Sequence, residues 1–406
     1  MVFCSVRNIE DAGKSDFLKE VGLPIIDTML RKAFRNWRKK RFNYETVAEV
    51  AVSRERILKN LSAFRDKYQI PIAPVLKSNA YGHGLLEVAG MLEGEVLPFL
   101  AVDSYFEALR LRNEGINQSI LVLGYTPYEN IASSKLAGVA FSILSLRELE
   151  YLATNLKSKQ LFHLEIDTGM HRHGIPADRL GDAMRLIRAN ARIAVVGAFS
   201  HFADAGNPNA SMTSSQISRW NEAAQIIKSE LPEARFLHLA ATAGSMYSER
   251  IDASAIRLGL GLYGISANPA EDLRLSPALE LKTKISSLHD IGPGESVGYG
   301  ATFTAEKAMR IATIPLGYFE GIDLRLSGKG TVTVRGVPCP MLGRISMNIT
   351  SIDVSAIPDV AIGEDAIAIS AEPAAPNSVA KITETCGTIP YEILVHIPGH
   401  LRRTVI

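Results

Sequence analysis

A repetition of texture between residues 70 and 260 most restricts what this chain can fold into. Eight short apolar runs, at 70–76, 99–102, 120–123, 139–143, 161–166, 193–199, 236–239 and 256–260, are separated by stretches whose apolar residues return at helical spacing. Several of those stretches begin with a recognisable start. Ser104 with Glu107, and Ser145 with Glu148, have the spacing at which a hydroxyl and a carboxylate satisfy the first free backbone donors of a helix. Alternation of strand and helix implies parallel strands, because each return to the same end of a sheet needs a crossover. Eight such units predict a closed (β/α)8 TIM-type barrel. Periodicity alone also allows an open doubly wound sheet, but no Gly-x-Gly-x-x-Gly follows the first run to support dinucleotide binding.

Beyond about residue 280 the helical period fades. Short alternating runs punctuated by Gly and Pro take over at 310–314, 330–334, 341–354 and 366–369, which predicts a mainly antiparallel β domain. The expected division is a basic N-terminal extension at 1–41, a barrel at 42–280 and a β domain at 281–406. In the extension, Leu23, Ile26, Leu30, Phe34 and Trp37 fall at helical spacing among Arg31, Lys32, Arg35, Arg38, Lys39, Lys40 and Arg41. That pattern reads as an amphipathic helix packed on its own subunit, or else as one touching a membrane surface or partner. Glu10, Asp11, Asp16 and Glu20 are unlike a transit peptide.

The balance of charge excludes some function classes. A formal net charge of +1 gives no reason to expect a nucleic-acid partner. Cys4, Cys339 and Cys386 are scattered and odd in number, so neither a disulfide framework nor a Cys-type zinc site is expected, and a cytoplasmic location follows. No apolar stretch reaches the roughly 18 residues of a membrane span. His171 with His173, and His396 with His400, have metal-like spacings. Pro398 interrupts the second pair, no carboxylate-rich partner accompanies the first, and no metal is expected.

In a barrel of this kind the chemistry belongs at the C-terminal ends of the strands. Lys77 follows the first run, with no helix or strand pattern to require it. Asp167-Thr168-Gly169-Met170-His171-Arg172 follows the fifth and Ser200-His201 the sixth, while Thr242, Arg257, Gly259 and Leu260 belong to the seventh and eighth. Hydroxyl and backbone N–H groups near the last two strands lie where barrels commonly hold a phosphate. A phosphate site facing a lysine points to pyridoxal 5′-phosphate, whose aldehyde condenses with an amine.

The stretch Val75-Leu76-Lys77-Ser78-Asn79-Ala80-Tyr81-Gly82-His83-Gly84 closely resembles the cofactor-lysine motif of the alanine racemase family. The likeness continues through Asp167-Thr168-Gly169-Met170 with Arg172, Ser200-His201-Phe202-Ala203, Arg257-Leu258-Gly259-Leu260, Gly298-Tyr299-Gly300, Pro315-Leu316-Gly317-Tyr318, Gly343-Arg344-Ile345-Ser346-Met347 and Pro390-Tyr391-Glu392, in order over roughly residues 42 to 406. The resemblance implies a pyridoxal-phosphate-dependent isomerase that interconverts L- and D-alanine and supplies D-alanine for peptidoglycan. It also implies a homodimer in which Tyr299 and Met347 complete the neighbour's site. Lys77 and Tyr299 would be the two catalytic bases. Tyr81, Thr242, Gly259, Leu260 and Tyr391 would hold the phosphate, Arg257 would face the pyridine nitrogen, and His201 would link Arg257 to Tyr299. Arg172 would meet the substrate carboxylate or the cofactor's phenolic oxygen, and the Met347 N–H the same carboxylate. Competing expectations are a serine or broad-specificity racemase, a barrel-type decarboxylase and a non-catalytic pyridoxal-phosphate-binding protein.

Three positions depart from the family pattern. Glu165 stands where many members carry a lysine, often carbamylated, and supplies directly the anion expected beside Arg172. Asn348 replaces the usual aspartate after Met347. Ala240-Ala241-Thr242 replaces the usual Asn-Ser pair, so Thr242 takes the hydroxyl role by position alone.

Overall fold

The computed structural model describes residues 45–207, 211–266 and 273–406. The basic helix expected before residue 41 lies outside them. After β1 (Ala48–Val52) the chain alternates strand and helix through β2 (Ile72–Pro74), β3 (Leu100–Val102), β4 (Ile120–Val122), β5 (Val139–Ile143), β6 (Gln160–Asp167), the short β7 (Ile175–Pro176), β8 (Ile193–Phe199), β9 (Phe236–His238) and β10 (Ile256–Leu258). Pairing runs β3-β4-β5-β6-β8-β9, all parallel, and β10 pairs with β2 in the same sense. Single parallel bridges, Val75 to Ala101 and Ala241 to Arg257, close the two remaining seams. Eight parallel strands thus form the predicted barrel, each on one of the eight apolar runs.

The helices form where the sequence caps them. Arg54–Tyr68 begins at Ser53, whose Oγ accepts from the Arg56 N–H, and it buries Ile57, Leu61 and Phe64, one stripe at helical spacing. The Ser104 and Ser145 caps also form, at 3.2 Å to the N–H groups of Glu107 and Glu148. Their partner carboxylates reach one residue further than the box spacing predicts. Glu107 accepts from the Asp103 N–H and Glu148 from the Leu144 N–H, because the strand-to-helix turn presents the donor before the serine.

The second sheet comprises β11 (Leu279–Lys284), β12 (Ser287–Ile291), β15 (Met309–Ile314), β16 (Thr331–Val334), β17 (Val337–Leu342), β18 (Thr350–Asp353), β19 (Asp365–Ile369) and β20 (Arg402–Val405), with the ribbon β13 (Ser296–Val297) and β14 (Phe303–Thr304) beside it. Its order is β12-β15-β18-β17-β16-β19-β11-β1-β20, antiparallel except for β1 with β20. The strand β1 comes from before the barrel, and none of the predicted runs contains it. The single run at 341–354 is two strands, β17 and β18, parted by a loop that starts at Gly343. That residue has φ +65°, and an added Cβ would sit 2.6 Å from the Val297 oxygen. Two helices, Val379–Cys386 and Pro390–Val395, were also unforeseen. Among the described residues no helix is long and apolar enough to cross a membrane.

Candidate active site

Lys77 leaves β2 into an unusual turn. Ser78, Asn79, Ala80 and Tyr81 have φ of +56°, +56°, +53° and +51°, one turn of left-handed helix made by non-glycine residues. Each such residue costs about 1–2 kcal/mol. Offsetting bonds come from distant parts of the chain. The Asn79 N–H donates to Glu107 Oε1 at 3.2 Å, Asn79 Oδ1 accepts from the Leu85 N–H at 3.0 Å, and Arg403 of β20 donates to the Gly82 oxygen at 2.9 Å. At Gly82, with φ +80°, an added Cβ would lie 2.1 Å from the Leu394 oxygen, so only glycine fits. Lys77 Nζ stands 3.8 Å from Asp103 Oδ1.

At the C-terminal mouth of the barrel a cavity of about 440 Å³ is lined by Lys77, Tyr81, Glu165, Arg172, His201, Thr242, Arg257, Gly259 and Tyr391 among others. Grooves of about 560 and 580 Å³ elsewhere gather no comparable set; the second lies at the opposite end of the barrel.

Arg257 is buried, and its guanidinium is almost fully committed. Nη1 donates to the oxygen and to Nδ1 of His238, each at 2.6 Å. Nη2 donates to the oxygens of Ser200 and Leu239 and, at 3.1 Å, to His201 Nδ1. Among the described residues nothing accepts from Nε. Asp252 pairs with Lys228 and not with Arg257. A guanidinium only donates, so Nδ1 of His201 is an acceptor and the ring carries its proton on Nε2. Burial first, then the charges of Arg257, Arg172 and Lys77, pushes His201 down to about 3, so the ring is neutral. Burial likewise pushes Arg257 down, to about 10.

The phosphate residues converge. Thr242 Oγ1 accepts from the N–H groups of Gly259 and Gly261 at 3.1 and 3.3 Å. Leu260 opens a tight turn, Leu260–Tyr263, whose leading N–H groups have no partner within the turn itself. The rings of Tyr81 and Tyr391 lie 5.8 Å apart, and burial raises both phenols. An added Cβ at Gly259 would stand 2.9 Å from the Tyr81 hydroxyl, so the glycine keeps this cradle open. A lysine, an uncommitted Arg257 Nε–H and a small-residue anion cradle on one cavity fit pyridoxal 5′-phosphate.

Glu165 lines the cavity, and burial raises it to about 6 against the opposing charges of Arg257 and then Arg172. The direct Glu165–Arg172 contact expected from the sequence is not made. The two interact through space, and Arg257 is the stronger influence. Glu148, on which the Glu165 charge bears, is raised to about 7 by burial, with Oε1 buried and unpartnered. Tyr299 and Met347, 72% and 55% exposed, do not line this chain's own cavity. The motifs mark none of His163, His238, Asp103, Glu107 and Glu148 as site residues. For His163 and His238 a signal existed, a polar residue within an apolar strand run.

The chain matches the family described as alanine racemase, N-terminal domain, over residues 52–267, and alanine racemase, C-terminal domain, over residues 278–405. It is 35% identical over 337 residues to the alanine racemase of Syntrophobacter fumaroxidans, covering 80% of this chain and 88% of that one. The solved alanine racemase of Clostridium difficile 630 superposes with a TM-score of 0.82 at 29% identity, over 90% of this chain and 97% of that one. A histidine racemase from Leuconostoc mesenteroides superposes with a TM-score of 0.81 at 27% identity, over 90% and 100%.

Proposed function

The chain belongs to the alanine racemase family, and on that premise we propose that it interconverts L-alanine and D-alanine with pyridoxal 5′-phosphate, in the cytoplasm, as a supply of D-alanine for peptidoglycan. The observation that carries this reading is Arg257, whose Nη hydrogens are all committed to protein and whose Nε–H alone is left for the cavity that Lys77 lines.

When bound, the cofactor supplies an electron sink that makes the Cα proton of an amino acid labile. Lys77 would hold it covalently, with Tyr81, Thr242, Gly259, Leu260 and Tyr391 around its phosphate and Arg257 at its ring nitrogen. Since a guanidinium does not give up its proton, that nitrogen stays an acceptor, which weakens the sink and disfavours transamination. Racemisation needs a proton removed from one face and returned to the other. Lys77 Nζ serves one face and the Tyr299 hydroxyl the other. Because Tyr299 is exposed and does not line its own cavity, it acts in that of a second copy, as does the Met347 N–H. The working form is therefore a head-to-tail homodimer. His201, with its proton on Nε2, donates to the Tyr299 phenolic oxygen and stabilises its charged form. Arg172 holds the substrate carboxylate. Glu165 offsets the two arginine charges without touching Arg172.

Exchange of the α-proton in deuterated water tests this reading. Cofactor-loaded protein should exchange both enantiomers of alanine, and Tyr299→Phe should suppress one direction far more than the other. Loss equal for both would overturn the two-base scheme, and no exchange at all would favour a non-catalytic cofactor-binding protein. Likeness to a histidine racemase supports a wider substrate range as the second reading, which turnover over a panel of L-amino acids decides.

A further inference from the structure

We infer that His163 and His238 are positioning residues for Arg257, holding its guanidinium so that Nε–H alone is presented to the cavity and His201 keeps its proton on Nε2. This rests on the assignment of Arg257 above and extends it to two residues that touch neither substrate nor cofactor.

The hydrogen bonds have one possible direction. Arg257 Nη1 donates to His238 Nδ1 at 2.6 Å, so that nitrogen must be a lone pair. The proton of a neutral His238 then sits on Nε2, which lies 2.8 Å from His163 Nδ1 and donates to it. His163 in turn carries its proton on Nε2. One permanent cation on β10 thereby fixes the tautomer of three imidazoles: His201 directly, His238 directly and His163 through His238.

The surroundings enforce neutrality. His238 and His163 are 0% and 2% exposed. Rings of Phe99, Phe199 and Phe236 pack on the pair, with Phe199 stacked on His238 at 5.3 Å and Phe236 stacked on His163 at 6.2 Å. Arg257 bears on both imidazoles and His163 also bears on His238, and among the described residues no carboxylate hydrogen-bonds to either. Burial first, then Arg257, drives both well below the usual histidine range. Protonating either ring would set N–H against N–H.

Space has been kept for the arrangement. An added Cβ at Gly197 on β8 would fall 2.5 Å from His163 Cε1 and 2.6 Å from Nδ1. A purely structural core would fill this volume with aliphatic or aromatic side chains at less desolvation cost. What the imidazoles add is a lone pair aimed at Nη1. Without it one guanidinium hydrogen has no acceptor in a buried site, and the fork loses one of the five contacts that hold it.

Long-range proton–nitrogen spectra of histidine-labelled, full-length, cofactor-loaded protein test this directly. His163, His201 and His238 should all show protonated Nε2 and none should titrate between about pH 5 and 9. An Nδ1-protonated ring, or titration of His163 or His238 in that range, overturns the inference. As a second readout, His238→Leu should lower kcat roughly 10- to 100-fold with KM little changed, and should disturb the His201 signal. His238→Asn, whose Oδ1 replaces the Nδ1 acceptor, should restore most of both. Equal losses in the two variants with an unmoved His201 signal would mean a packing role only and would refute the proposal. The tautomers are read in protein without turnover, so their agreement with expectation alongside absent racemase activity would sink the proposed function and leave this inference standing.

Discussion

Replacing Glu107 tests whether the left-handed turn after Lys77 is held from outside. Four residues at positive φ put roughly 4–8 kcal/mol of backbone strain next to the lysine. The Glu107 carboxylate spans the turn and the neighbouring strand, accepting from the N–H groups of Asn79 at 3.2 Å and Asp103 at 2.9 Å. Each charge-assisted bond contributes about 1.5–3 kcal/mol. Glu107 is half-buried, which favours the lower end of that range. Glu107→Gln keeps one carbonyl acceptor and should lose about 1.5 kcal/mol, while Glu107→Ala loses both bonds and about 3 kcal/mol. That loss is smaller than the stored strain, and Asn79 Oδ1 and Arg403 still brace the turn. We therefore expect local relaxation around Lys77 rather than global unfolding. Turnover should fall about 10-fold for Gln and about 100-fold for Ala, and the melting temperature by only a few degrees. Racemisation rates of both directions beside thermal melts of the same preparations provide the check. If Glu107→Ala turns over within about two-fold of the parent, the turn does not depend on this carboxylate and the reasoning fails.

Two further outcomes follow from the same geometry. Thr242→Val leaves the buried N–H groups of Gly259 and Gly261 without their hydroxyl acceptor and should weaken cofactor affinity roughly 10- to 100-fold, with Thr242→Ser close to the parent; absorbance titration of the apoprotein measures this, and unchanged affinity in the valine variant would remove Thr242 from the phosphate site. Glu148, raised by burial from 4.5 to about 7, binds its proton more tightly folded than unfolded, so stability falls as pH rises across that interval and the penalty is fully present above it. Glu148→Gln should therefore gain up to about 3 kcal/mol over the parent near pH 8 and nothing near pH 4, read by urea denaturation at both; equal differences at the two pH values would refute the assignment.

The barrel was legible because its signal is local. Each strand announces itself within a few residues, and each cap within four, so eight alternations require only counting. The position of Lys77 at a strand end follows from the same count. The resemblance added roles for Tyr299 and His201 but could not say how they are held. The Glu165–Arg172 contact was expected from the family pattern of an anion beside this arginine, yet the side chains do not meet, because a motif fixes which residues are present and not how far their side chains reach.

What the sequence by itself determined is the pattern: eight strand–helix units, a second domain of alternating strands, and the chemistry-bearing residues at strand ends. What only the tertiary structure decided is which distant groups share one charge. Arg257 is bonded by His238 on the adjacent strand and through it by His163, 75 residues apart in the chain from His238, while the turn after Lys77 is braced by Arg403, 321 residues beyond Gly82. No periodicity encodes such pairs. They arise because closing the barrel brings strands six, nine and ten to one axis in a medium where a buried cation must find lone pairs. The exposure of Tyr299 has the same origin, since a side chain's surroundings are set by the packing of the loop and not by the motif that contains it.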